Sequence, residues 1–282
     1  MRRPENNLEK IFIRAPYTVR FRRMKNAKWI VDPQSNYTAM FMLAGEMKYH
    51  AAEAAGVLNN DGALLLNPVD RASARGTESE FLTISLSSSY VVDCAVRARL
   101  VRTGAVVNFH NGVIQQSERL RSLSQDLREE LIHTEAGQEL VISAIVEQMI
   151  VQLLRHHSHV RRSDELELSR AGLVDRRIRR AVELMHAQLH RDLPVDEIAS
   201  AAYLSPFHFA RLFKKLTGAS PHAYLASLRA TRAETLLADT DLSVTEVSSR
   251  VGYSSSSHFS KAFRAATGMT PRAFRSALVR GR

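Results

Sequence analysis

The 282-residue chain predicts an α+β fold in two domains: short strands in the first third, a helical hairpin after them, and an all-α domain from about residue 173. Three observations carry that expectation. Apolar residues come in short runs between turn residues up to Leu86, then recur at spacings of three and four beyond Gln115. The stretch from Leu193 to Arg275 holds one pattern written twice. Charge is also uneven: residues 170–282 carry 18 Lys/Arg against 9 Asp/Glu, whereas the residues before them carry 21 against 20. A chain of this length has room for two cores.

Residues 1–25 hold Arg14, Arg20, Arg22, Arg23 and Lys25 with few acids, and read as a basic, solvated arm leading into a first strand. The opening Met1-Arg2-Arg3-Pro4 lacks the apolar stretch of a secretory signal, and no run approaches the ~18 apolar residues of a membrane span. A cytoplasmic protein is expected. Next come the runs Trp29 to Val31, Tyr37 to Leu43 before Ala44-Gly45, Met47 to Tyr49, Ala63 to Leu66 and Phe81 to Leu86, the spacing of an all-β sandwich or barrel. Trp29, Tyr37, Met40, Met42, Tyr49 and Leu66 are candidates to line an effector pocket or simply to fill a closed core.

Metal chemistry finds little support. Sites of that kind need about three converging ligands, and this region offers His50, near Glu46 and Glu53, and then His110. No metal, no cofactor and no enzymatic activity are expected. The single Cys94 excludes an internal disulfide; lying among Val91, Val92, Ala95 and Val96 it reads as a small core residue, with Arg97 and Arg99 the only argument for a reactive thiol.

From Gln115 to His157 the period becomes helical, with Leu120, Leu123, Leu127 and Leu131 before Gly137 and Leu140, Ile142, Ile145, Val146, Met149, Ile150, Leu153 and Leu154 after it: an antiparallel hairpin. His156, His157 and His159 with Arg161 and Arg162 lack a completing carboxylate or cysteine. The sequence places a first domain at 1–157, a linker at 158–172 and the helical domain at 173–282. That domain opens with a helix whose Ile178, Val182, Met185 and Leu189 face inward behind Arg176, Arg177, Arg179 and Arg180.

The duplicated pattern parses as two helices and a tight turn in each copy. Val195, Ile198, Ala199 and Ala202 make one apolar face, Ser205 caps the next helix, and Phe209, Leu212, Phe213 and Leu216 form its buried stripe up to Thr217-Gly218. Val244, Val247, Val251, Gly252, Phe259, Ala262, Phe263 and Gly268 repeat this, 49 residues on before the turn and 50 after it, so the second copy has one inserted residue. A short helix, a turn and a second helix with a polar outer face is the helix-turn-helix, whose second helix enters the DNA major groove. The excess positive charge of this region is the footprint of a nucleic-acid binder.

The segment resembles the DNA-binding domain of the AraC/XylS family of bacterial transcription regulators. The resemblance rests on Ala199, Ser205, Phe209, Arg211, Phe213, Gly218, Pro221 and Tyr224, and on Gly252, Tyr253, Phe259, Phe263, Gly268, Pro271, Phe274 and Arg275. It implies a cupin-like barrel ahead of the helical domain, a homodimer formed through that first domain, control by a small organic effector, and activation through RNA polymerase at double-stranded promoter DNA. It also implies a rigid helix, Tyr224 to Ala238, between the two units.

The family pattern places base contacts at Phe207, Ala210 and Arg211; in the second unit the outward residues Ser256, Ser257, His258 and Lys261 take that role. Arg211 is the strongest base reader, because a guanidinium matches both acceptors of a guanine edge. Ser205, Lys214, Lys215, Arg250, Ser254, Ser255, Arg264 and Arg272 are expected on phosphates, with Arg264 and Arg275 alternatively bridging helices. Two rivals stay open: an enzyme built on the barrel and tethered to DNA, and a regulator without an effector.

Overall fold

The structure is a computed structural model. It describes residues 7–14, 16–31, 36–51, 54–68, 70–101, 106–110, 112–161, 176–217 and 219–279. The chain divides into two compact units, one of Met1–Arg162 with Ala277–Arg282 and one of Ser163–Ser276.

The first unit is built on a seven-stranded antiparallel sheet. Its strands are β1 (Asn7–Arg14), β2 (Tyr17–Val31), β3 (Tyr37–Ala51), β4 (Ala54–Leu58), β5 (Gly62–Leu66), β6 (Ala72–Leu86) and β8 (Gly112–Gln115), while β7 (Val106–Phe109) pairs separately with β9 (Ser158–Arg161). The order is β1-β2-β6-β3-β5-β8 with β4 on β3, an open path among the described residues. β6 is central: Leu86 pairs with both Tyr17 and Tyr37, and Ala72 with both Val31 and Ala51.

Helices α1 (Ser88–Arg97), α2 (Glu118–Ile132) and α3 (Gln138–His156) complete this unit. Successive strand side chains point to opposite faces, so the sheet feeds two cores. Tyr37, Ala39, Phe41, Ala63, Leu65, Leu82, Ile84 and Leu86 pack with the leucine and isoleucine faces of α2 and α3. Trp29, Met40, Met42, Met47, Leu58, Leu64, Leu66 and Phe81 make a second cluster, with Tyr49 at its margin. The run Ala63 to Leu66 is apolar at every position because both of its faces are covered.

Several elements differ from the sequence expectation. The basic arm is two strands: Arg20 and Arg22 alternate with buried Val19 and Phe21, Arg22 pairs with Glu9 at 2.7 Å, and Arg23 pairs with Glu80 at 2.5 Å. Residues 1–6 of that arm lie outside the described residues. The expected break at Ala44-Gly45 is instead a bulge inside one 15-residue strand, where Gly45 takes φ +78° and the register to β6 shifts. His156 ends α3 and His159 lies in β9, so residues 158–161 are a strand where the linker was expected to begin; residues 162–175 lie outside the described residues. At the other end, Leu278 bridges Ile11 in parallel and the Val279 N–H donates to the Ile11 carbonyl at 2.7 Å.

The second unit contains seven described helices: α4 (Arg176–Gln188), α5 (Val195–Ala201), α6 (Pro206–Thr217), α7 (Pro221–Asp239), α8 (Val244–Arg250), α9 (Ser256–Thr267) and α10 (Pro271–Ala277). Ile178, Ala181, Met185, Ile198, Ala199, Phe209, Phe213 and Tyr224 form its first core. Val247, Val251, Phe259, Phe263 and Phe274 are the buried counterparts in the second copy.

Candidate nucleic-acid interface

The duplication extends to individual hydrogen bonds. In the first copy α5 ends with the Tyr203 N–H on the Ser200 carbonyl (2.9 Å) and the Leu204 N–H on Ala199 (3.0 Å). In the second, α8 ends with Gly252 on Ser249 (3.1 Å) and Tyr253 on Ser248 (3.0 Å). Both are Schellman closures, which need a left-handed residue after the helix: Tyr203 at φ 53° and Gly252 at φ 82° supply it.

The next helix of each copy is capped by a serine. The His208 N–H donates to Ser205 Oγ and the His258 N–H to Ser255 Oγ, both at 3.4 Å. Leu204 is followed directly by its cap, whereas Tyr253 and Ser255 are separated by Ser254. Ser254 is therefore the inserted residue that changes the repeat from 49 to 50.

Inside each copy an aromatic chain fixes the angle of the second helix. Phe213 meets Tyr224 edge-on at 5.4 Å, and Phe263 meets Phe274 at 5.3 Å. The Thr217 and Thr267 hydroxyls bond the Phe213 and Phe263 carbonyls, each at 2.8 Å. Gly268 closes α9 at φ 83°; its counterpart Gly218 lies outside the described residues.

With Phe209, Phe213, Phe259 and Phe263 turned inward, the opposite faces of α6 and α9 are left to solvent. Phe207 is 79% exposed, and His208, Arg211, Lys214 and Lys215 are also exposed, with Ala210 half-buried between them. His208, Arg211, Leu212 and Lys215 flank a shallow depression along α6. On α9, Ser257, His258, Lys261 and Arg264 are exposed while Ser256 and Ser260 are half-buried. The His258 ring meets Tyr253 edge-on at 5.5 Å, which limits its freedom.

Ser205, Ser254, Ser255, Arg250 and Arg272 are exposed as well. The capping serines accept a backbone N–H through their oxygen, and each hydroxyl keeps its own hydrogen to donate. Arg275 is half-buried and donates to the Leu242 carbonyl in the loop before α8, the helix-bridging alternative raised for it.

The sequence reading overlooked Arg229. From α7 it donates to the carbonyls of Leu189 and Arg191 beyond α4, at 3.0 and 2.6 Å, and lies over the Tyr253 ring at the turn of the second copy. It thereby joins the end of α4, the helix that opens the helical domain, to the turn of the second copy.

Comparison with known proteins agrees with this geometry. A family model described as a helix-turn-helix domain matches residues 198–277. The helical domain belongs to the AraC-type helix-turn-helix family.

Curated relatives are similar over part of the chain. Regulatory protein PocR of Salmonella typhimurium is 35% identical over 79 residues, 28% of this chain and 26% of PocR. The HTH-type transcriptional regulator GbdR of Pseudomonas aeruginosa is 34% identical over 128 residues, 45% of this chain and 34% of GbdR. The chain thus covers about a quarter to a third of the length of these relatives. ToxT of Vibrio cholerae O395 has a similar fold, with a TM-score of 0.62 at 12% identity over 94% of this chain and 99% of ToxT.

Outside the AraC-type domain, the candidate pocket residues separate by face. Trp29, Met40, Met42 and Leu66 are buried in one cluster, with half-buried Tyr49 packed against it. Tyr37 points to the other face, where its hydroxyl donates to the Val107 carbonyl at 2.6 Å and its ring meets Phe109. Glu53, raised as a metal ligand beside His50, lies outside the described residues. Among the described residues no group of three or more His, Cys, Asp or Glu side chains is arranged to hold a metal ion, and no helix is long and apolar enough to cross a membrane. Cys94 is buried, and burial pushes its thiol pKa up despite the nearby Arg97. A raised pKa disfavours the thiolate, and with it the reactive-thiol alternative.

Proposed function

We propose that the chain is a sequence-specific transcription regulator that lays α6 and α9 into successive major grooves of promoter DNA under the control of its sheet domain. The observation that carries the reading is the pair of exposed polar helix faces, one on each copy of the repeat, in the region that holds nearly all the net positive charge. Arg211 reads a guanine edge, Phe207 packs on a thymine methyl, and Lys261 and His258 lead the contacts of α9, with Ser256 and Ser257 beside them. Lys214, Lys215, Arg250, Arg264, Arg272 and the serines Ser205, Ser254 and Ser255 hold phosphates.

In the same reading the sheet domain forms the homodimer, and a docked dimer activates transcription through RNA polymerase. The effector is small and apolar, received by the cluster of Trp29, Met40, Met42 and Leu66. Methionine side chains repack around varied shapes, and ToxT, which shares the fold, is known in an unsaturated fatty acid bound form.

The deciding experiment selects bound duplexes from a random pool with the full chain and with Arg211→Ala. The substitution should relax preference at one base position, worth about 1–3 kcal/mol of discrimination. Equal weakening on every sequence would make Arg211 a phosphate contact.

A second reading, regulation without an effector, is favoured by the near-complete burial of Met40, Met42 and Leu66 against one another. A rise in melting temperature with an added apolar acid would exclude it.

A further inference from the structure

Arg180 and Arg229 stand 49 residues apart, at the same place in the two halves of the helical unit. Each lies over a tyrosine at the turn of its own copy, Arg180 at 5.3 Å from the Tyr203 ring centroid and Arg229 at 5.2 Å from Tyr253. Their surroundings differ. Arg229 and Tyr253 are half-buried, and the guanidinium is held by two backbone carbonyls. Arg180 and Tyr203 are exposed, Tyr203 at 77%.

Tyr203 also occupies the left-handed position of its Schellman closure, which the second copy gives to Gly252. A bulky residue is disfavoured there, and at this exposure its ring gains little burial in return. Packing therefore gives no account of why an aromatic residue stands at this turn. Its place does: Tyr203 precedes by three residues Pro206, the first residue of α6.

We propose that Arg180 and Tyr203 together grip a DNA phosphate beside the bases read by α6, an inference that rests on the DNA-docking reading above. The aromatic face orients the guanidinium. The guanidinium makes charge-assisted hydrogen bonds to the phosphodiester oxygens, and the phenol hydroxyl donates a further one. The contact sets the register of the first helix-turn-helix and carries no sequence information. In the second copy the equivalent arginine serves the fold, so the duplicated arginine has two uses.

The test uses the full chain and a duplex it selects from a random pool, with affinity measured against salt concentration and thermal unfolding recorded alongside. Arg180→Ala and Tyr203→Gly should each weaken binding equally on selected and unrelated duplexes, and Arg180→Ala, which removes the charge, should reduce the slope of log affinity against log salt by about one. Tyr203→Gly should leave the melting temperature unchanged or raised, because glycine takes the left-handed conformation without strain. Wild-type affinity and slope in both variants would overturn the proposal while leaving the DNA reading intact. So would a fall in melting temperature for Tyr203→Gly that tracks its loss of binding, since the tyrosine would then be structural. A wild-type chain that selects no duplex would overturn both.

Discussion

Arg229 joins the two helix-turn-helix units: its guanidinium lies 5.2 Å from the Tyr253 ring centroid while donating to the carbonyls of Leu189 and Arg191. Hydrogen bonds from a charged donor contribute more than neutral ones. Arg229→Ala is expected to destabilise the protein by about 2 kcal/mol, measured by urea unfolding. Its binding to a duplex carrying both half-sites should fall more than its binding to a single half-site.

Gly252→Ala tests the same junction from the other side. A Cβ at this residue would stand 2.4 Å from the Leu189 carbonyl oxygen and 2.9 Å from the Arg229 guanidinium, at a φ of +82°. Left-handed strain and overpacking together should cost about 2–4 kcal/mol. A loss within about 0.5 kcal/mol would show that the turn relaxes without its glycine.

Phe213 and Phe263 hold matching places in the two copies and are fully buried, whereas Phe207 is exposed. Phe213→Ala and Phe263→Ala should each cost about 3–5 kcal/mol in chemical denaturation. Phe207→Ala should stay within about 0.5 kcal/mol and yet weaken DNA binding.

The sheet domain should lose stability in mild acid. The His157 imidazole is held below its usual pKa, first by burial and then by His156 and His110. A lowered native pKa means that the unfolded chain binds more protons as pH falls below about 6.5, so stability drops from that point through the native value. The melting temperature should be lower at pH 5.5 than at pH 7.5, and His157→Gln should flatten the difference. Burial lowers His186 in the helical unit in the same direction, so some slope should remain.

The helical repeat was the most legible part of the sequence, because Phe209, Phe213, Phe259 and Phe263 recur with their caps at one spacing and the fold reuses each for one purpose. β2 was obscured by its arginines. The alternation of Tyr17, Val19 and Phe21 with Thr18, Arg20 and Arg22 is nonetheless a period-two signal for a strand with one buried face.

Parity also held information about the candidate pocket. Tyr37 and Met40 differ by an odd number of residues and so belong to opposite faces of one strand, as the two cores require. The break expected at Ala44-Gly45 failed because a glycine with positive φ makes a bulge as readily as a turn. Leu278 and Val279, which return to β1, are too short a segment to announce a pairing. Arg229 gave no local signal either; only its separation of 49 residues from Arg180 marks it, and that separation matters once the helices are superposed.

The central claim, that α6 and α9 grip one face of duplex DNA together, is tested most directly by hydroxyl-radical footprinting of the full chain on its selected site. Two protected patches about one helical turn apart are expected, one fading with Arg211→Ala and the other with Lys261→Ala. A single patch, or two patches that neither substitution touches, would contradict it.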